Sequence, residues 1–133
     1  PDPQNFAALV VEALNELNEA YPEADVLNKV SIQSFDLRAL REVRKTALQV
    51  KLCLLVENTA DPAKQMDNLG FPVDIYSPNY ELVTPELIAW CHFRQIEVIP
   101  WTVNELNEMQ ELVDMGVDGL ISDYPDLFNL LVY

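Results

Sequence analysis

Apolar and polar positions alternate along the chain in two periods, and the changes of period divide it into helices and strands. From Asn5 to Ala20, apolar residues fall at Phe6, Leu9, Val10, Ala13, Leu14 and Leu17, the spacing of an amphipathic helix. Glu12, Glu16 and Glu19 lie largely off that stripe, and Tyr21-Pro22 ends it, because a residue before proline is pushed out of the α region. Lys29–Phe35 (KVSIQSF) reads as a strand with Val30 and Ile32 on one face and Ser31, Gln33 and Phe35 on the other. Asp36 caps a following helix that turns Leu37, Leu40, Val43 and Ala47 inward. Val50–Val56 (VKLCLLV) is a nearly continuous apolar run, the mark of a parallel strand covered on both faces. Asp61-Pro62 opens a short helix that stops at Gly70, Val73–Ser77 is a shorter strand, and Thr84-Pro85-Glu86 starts the next helix. Then come a strand over Glu97–Val103, a helix over Glu105–Met115 with Asn104 as its cap, and a strand over Asp118–Ser122. A short helical pattern closes the tail, Asp126–Tyr133.

The tally is one helix, then five strands with helices between them. Strict alternation implies an α/β fold, a parallel sheet with right-handed crossovers. The strands recur every roughly 20–25 residues, as in a β/α barrel, yet a full barrel needs roughly 200–250 residues. The 133 residues suffice for a single domain over residues 1–133 with a core of its own, and the first helix has no strand before it. The expectation is a partial barrel of about five parallel strands, whose open sheet edges favour self-association.

Composition narrows the partners. Half the residues are apolar, and 22 carboxylates against 8 Lys and Arg give a net charge of −14. A field of that sign repels nucleic acid and anionic membrane surfaces, so no nucleic-acid partner is expected. No apolar run reaches the length of a membrane span. The two cysteines, Cys53 and Cys91, lie inside apolar segments without partners at metal-ligand spacing, as buried small hydrophobes do; this suits a reducing compartment. His92 falls within a helix, out of reach of a barrel mouth. Glu57, just past its strand, is the one carboxylate whose position suits a metal, and it has no second ligand nearby. The chain starts at Pro1 without a Met, so upstream sequence is expected.

WTVN at Trp101–Asn104 and GVDGLISDYP at Gly116–Pro125 closely resemble the last two β/α units of the glycerophosphodiester phosphodiesterases, and IQSFD at Ile32–Asp36 looks like that family's fourth-strand motif. The resemblance implies a TIM (β/α)8 barrel of which this chain is about strands 4 to 8, with the N-terminal three β/α units missing. It also implies hydrolysis of glycerophosphodiesters to glycerol 3-phosphate and an alcohol, assisted by a divalent cation, Ca²⁺ or Mg²⁺. The family's metal ligands and histidine pair have no counterparts here. The chain is therefore expected to hold no catalytic residue and no metal ligand, and to be inactive alone. Phe93-Arg94-Gln95 departs from the pattern where a glycine is usual, on a loop distal to the chemistry.

By the same resemblance, Trp101 lines the substrate pocket against the glycerol portion, Phe35 ends its strand in the same fashion, and Gln33 points inward towards a phosphate oxygen or glycerol hydroxyl. Tyr76 with Ser77, Asn104 and Asp123 are pocket-rim candidates. Each has a plain structural alternative: a core aromatic for Trp101 and Phe35, a satisfied buried amide for Gln33, a helix cap for Asn104, a turn opener for Asp123. The partners implied are a small-molecule phosphodiester and either the N-terminal remainder of the barrel or a second copy. Two other functions fit the same pattern: a non-catalytic, self-associating half-barrel binding module, and another TIM-barrel phosphodiesterase of the phospholipase D type.

Overall fold

The structure is a computed structural model that describes residues 2–58 and 61–133. They fall into two compact units, Pro1–Leu54 and Leu55–Tyr133. Four strands form one sheet in the order β1-β2-β3-β4.

In the first unit, α1 (Pro3–Ala20) starts where Asp2 Oδ1 accepts the Gln4 N–H at 3.0 Å. It packs on α3 (Leu37–Thr46), and a single turn, α2 (Val26–Lys29), intervenes. The buried face of α1 differs from the predicted one. Ala7 and Val11 are buried, whereas Phe6 and Leu9 are more than 60% exposed (63% and 62%). Apolar residues occupy two sides of this helix, and the side with smaller residues allows closer approach to the fully buried Leu40 and Val43 of α3. β1 (Ser31–Ser34) pairs in parallel with β2 (Lys51–Val56), from Ser31↔Lys51 to Ser34↔Leu54. Asp36 caps α3 as its sequence predicts, Oδ1 accepting from the Arg38 N–H at 2.9 Å.

The second unit takes up the end of β2 and continues through α4 (Pro62–Leu69), β3 (Ile75–Pro78), α5 (Pro85–Phe93), β4 (Glu97–Val98) and α6 (Leu106–Met115). The Asn79 N–H donates to the Val56 carbonyl at 2.7 Å, and β3 pairs in parallel with β4 at Ile75↔Glu97 and Tyr76↔Val98. Both cysteines are free and buried. Helices α4 and α6 stop at Gly70 and Gly116, whose φ angles of 92° and 97° only glycine adopts without strain.

Five strands were expected and four are present among the described residues. Residues 118–122 lie beside the end of β4 and form no ladder of their own. The Asp118 and Ile121 N–H groups donate to the Val98 and Pro100 carbonyls, and the Val103 N–H donates to the Ile121 carbonyl, each at 2.9 Å. Pro100 has no N–H to return, and the ladder breaks there. β4 itself is two residues long instead of seven, continued by single bonds from the Ile99 N–H to Tyr76 and from the Trp101 N–H to Pro78. The Trp101–Thr102 peptide is cis. A 3-10 helix, Pro125–Leu130, leads into the tail, which Gln110 of α6 grips at two points. Gln110 Nε2 donates to the Val132 carbonyl at 2.8 Å, and the Val132 N–H donates to Gln110 Oε1 at 2.9 Å.

Candidate functional site

In the second unit, the ends of β3 and of the β4 extension bring three groups together. The Trp101 indole N–H donates to the Ser77 carbonyl at 2.8 Å, and the Ser77 hydroxyl donates to the Ile99 carbonyl. Ser77 is fully buried, so both of its bonds are made away from water, where a lost partner is most costly. The Trp101 main chain is fixed as well: its N–H donates to Pro78 at 3.0 Å and its carbonyl accepts from the Tyr80 N–H at 2.9 Å. The ring is half-buried, with its polar edge anchored. Nearby, the Tyr80 hydroxyl lies 3.4 Å from Glu108, whose negative charge holds the phenol above its usual pKa.

Asn104 and Asp123 are also joined. Asn104 Nδ2 donates to Asp123 Oδ2 at 2.9 Å, and the Asp123 N–H donates back to Asn104 Oδ1 at 3.0 Å. Ser122 Oγ donates to the same Asn104 oxygen at 3.3 Å and accepts the Tyr124 N–H at 2.9 Å. The cap assignment of Asn104 is thereby corrected. Helix α6 begins at Leu106 with Glu105 in the cap position and no side-chain cap bond. The Asn104 amide is spent instead on locking two loops to each other.

Tyr76 is 2% exposed and lies on the opposite face of β3 from Ser77, in a separate cavity. Burial pushes its phenol up to about 12, with smaller contributions from Cys91 and Asp61. In the first unit, Gln33 and Phe35 share one side of β1 and both are exposed, Phe35 by 55%, so neither the buried amide nor the core aromatic holds there. His92 sits on the outside of α5, its Nε2 2.7 Å from Asp118 Oδ2, an oxygen that also accepts the Val98 N–H at 2.7 Å. Sequence reasoning missed the anchoring role of Ser77. Its signal was a lone hydroxyl between two apolar neighbours at a strand end.

Among the described residues, no group of three or more His, Cys, Asp or Glu side chains could hold a metal ion. The described residues do not by themselves fit a divalent metal ion. No helix among them is long and apolar enough to cross a membrane.

Comparison with known proteins places these features in a family. The sequence profile of the Glycerophosphoryl diester phosphodiesterase family matches residues 3–127. A glycerophosphodiester phosphodiesterase of Caldanaerobacter subterraneus subsp. tengcongensis is 32% identical over 120 residues, 87% of this chain and 48% of that protein. One from Bacillus altitudinis is 28% identical over 115 residues, 84% of this chain and 46% of that protein. The crystal structure of a glycerophosphodiester phosphodiesterase from Parabacteroides distasonis superposes with a TM-score of 0.78 at 21% identity, over 96% of this chain and 50% of that one. A phosphodiesterase of Oleispira antarctica, in complex with the product sn-glycerol-3-phosphate, superposes with a TM-score of 0.65 at 16% identity, over 74% of this chain and 39% of that one. The chain spans about half the length of the relatives it matches. Profile, sequence relatives and fold agree with the WTVN and ISDYP motifs, and the chain belongs to the glycerophosphoryl diester phosphodiesterase family.

Proposed function

We propose that this chain supplies the substrate-side wall of a metal-dependent enzyme that hydrolyses glycerophosphodiesters to glycerol 3-phosphate and an alcohol. The observation that carries the proposal is the anchored, half-buried indole of Trp101 at the C-terminal end of its strand, where barrel active sites lie. The Trp101 indole, fixed by its N–H to Ser77, is an apolar ring held in place for the carbons of a glycerol unit to lie against. The joined pair Asn104 and Asp123 forms the rim beside it. Gln33 and Phe35, both exposed on the first unit, are the chain's further substrate-side candidates. The product held by the Oleispira phosphodiesterase supports a small phosphate-bearing ligand.

The metal ligands and the acid–base groups belong, in this proposal, to the other units of a complete barrel. The isolated chain is then inactive. The test is release of glycerol 3-phosphate from a glycerophosphodiester, with Ca²⁺ or Mg²⁺ supplied, by this chain and by the full-length protein in parallel. Metal-dependent release by the full-length protein and none by the chain is the expected pair of results. Turnover by the chain alone would relocate the chemistry into these residues.

A further inference from the structure

A cavity of about 470 Å³ opens over β3 at the N-terminal ends of α4 and α5, within the second unit. The proposed phosphodiester chemistry leaves it unused. Its polar lining includes Asp61, Glu86 and the Tyr76 phenol; Pro78, Leu82 and Leu87 supply apolar walls. Tyr76 is 98% withdrawn from solvent, being 2% exposed, and its hydroxyl makes no hydrogen bond among the described residues. Among those residues, the one fully enclosed side-chain polar atom without a partner is Asn18 Oδ1. The Tyr76 hydroxyl is likewise unpaired but not fully enclosed, so what it meets is the cavity. A buried hydroxyl left without a partner is costly, and one that opens onto a cleft of this size invites a ligand.

Charge decides the kind of ligand. The two helix N-termini that open here favour an anion, each with roughly half a positive charge, about +1 together. Their leading donors are already taken. The Ala63 N–H goes to Asp61 Oδ1 at 2.7 Å, and the Leu87 N–H goes to Thr84 Oγ1 at 3.1 Å. Against them stand two full carboxylates, Asp61 and Glu86, with no Lys, Arg or His among the described lining residues. The balance is negative, and the chain's net charge of −14 deepens it. Arg94, stacked 3.9 Å from the centroid of the Trp90 ring, lines a neighbouring cleft and not this one.

We propose that this cavity binds a small organic ammonium ion. Its N–H groups donate to the free Asp61 oxygen, to Glu86 and to the Tyr76 oxygen, and its short alkyl body lies against Pro78, Leu82 and Leu87. The Tyr76 phenol is neutral at physiological pH, as an ordinary phenol is, so its oxygen accepts without adding a third negative charge. The inference stands apart from the phosphodiester function, since Trp101, Phe35 and Gln33 take no part in it.

The test is isothermal titration of the chain with n-butylammonium chloride, and in parallel with 1-butanol and with inorganic phosphate. Saturable binding of the ammonium alone is expected. Tyr76→Phe and Glu86→Gln should each weaken it about tenfold, as loss of one buried or charge-assisted hydrogen bond does. Glu12→Gln, an equal change of charge on α1, should leave it within about twofold. Equal loss in Glu12→Gln would reduce the effect to bulk attraction, and binding of butanol or phosphate in its place would overturn the assignment. So would absence of ammonium binding. Should Tyr76→Phe fail to fold, the exposed Glu86→Gln carries the test unaided.

Discussion

Trp101 is the residue on which substrate use and folding can be separated. Its indole N–H and both of its backbone groups are engaged at the ends of β3 and β4, yet the ring stays half-buried. In the complete barrel enzyme proposed above, Trp101→Ala is expected to lower catalytic efficiency about tenfold to a hundredfold, the worth of roughly 1–3 kcal/mol of apolar contact in the transition state. A ring serving only as core would instead lose about 3–5 kcal/mol of stability on truncation. Melting temperature and catalytic efficiency measured on the same variant decide between them; a collapsed melting temperature with near-normal efficiency returns Trp101 to the core. The motif made Trp101 visible in the sequence, because strand end, aromatic and following Asn stand together. Asn104 was harder. An Asn just before a helix caps it in most contexts, and only the arrival of Asp123 from 19 residues away diverts its amide. Long-range partners of that kind leave no local signal.

At the scale of elements, α3 depends on its cap. Asp36 accepts the Arg38 N–H at 2.9 Å and holds the Arg38 guanidinium at 2.7 Å. That side-chain bond, before any other cause, keeps the Asp36 carboxyl below its ordinary value of 3.8. A depressed carboxylate stabilises the fold above its unfolded-state pKa, and the contribution is lost as pH falls through the folded one. Asp36→Ala should therefore cost about 1 kcal/mol at neutral pH and progressively less below pH of about 4, read as the difference in urea midpoint from the parent chain. A constant difference down to pH of about 2 would show that the charge plays no part. Caps, prolines and glycine stops placed the helices well from sequence, since each acts on its own neighbours. The buried face of α1 was not legible, because apolar residues lie on two of its sides and packing on α3 selects Ala7 and Val11. Nor was the lapse of the fifth strand: an apolar alternation over residues 118–122 says nothing of whether its neighbour has an N–H to offer, and at Pro100 it has none.

At the scale of the whole molecule, 22 carboxylates meet only 8 Lys and Arg, and the ion pairs seen among the described residues lie at or near the surface. Like charge left unpaired works against the compact state. Raising NaCl from about 10 mM to about 200 mM shortens the screening length from about 30 Å to under 10 Å, and the melting temperature should rise by a few degrees. A flat or falling response would mean that the surface pairs outweigh the repulsion. The alternating period announced the α/β fold, and three short motifs announced the family; the hydrogen-bonded order of the strands belongs to no single stretch of sequence. One side chain, Gln110, meets the Val132 backbone with both a donor and an acceptor, as the edge of a neighbouring strand would. For the tail this makes a zipper of a single tooth. The amide of Val132 is shielded from exchange with solvent only while that tooth is shut, so its exchange reports the opening of one side chain and not the unwinding of α6.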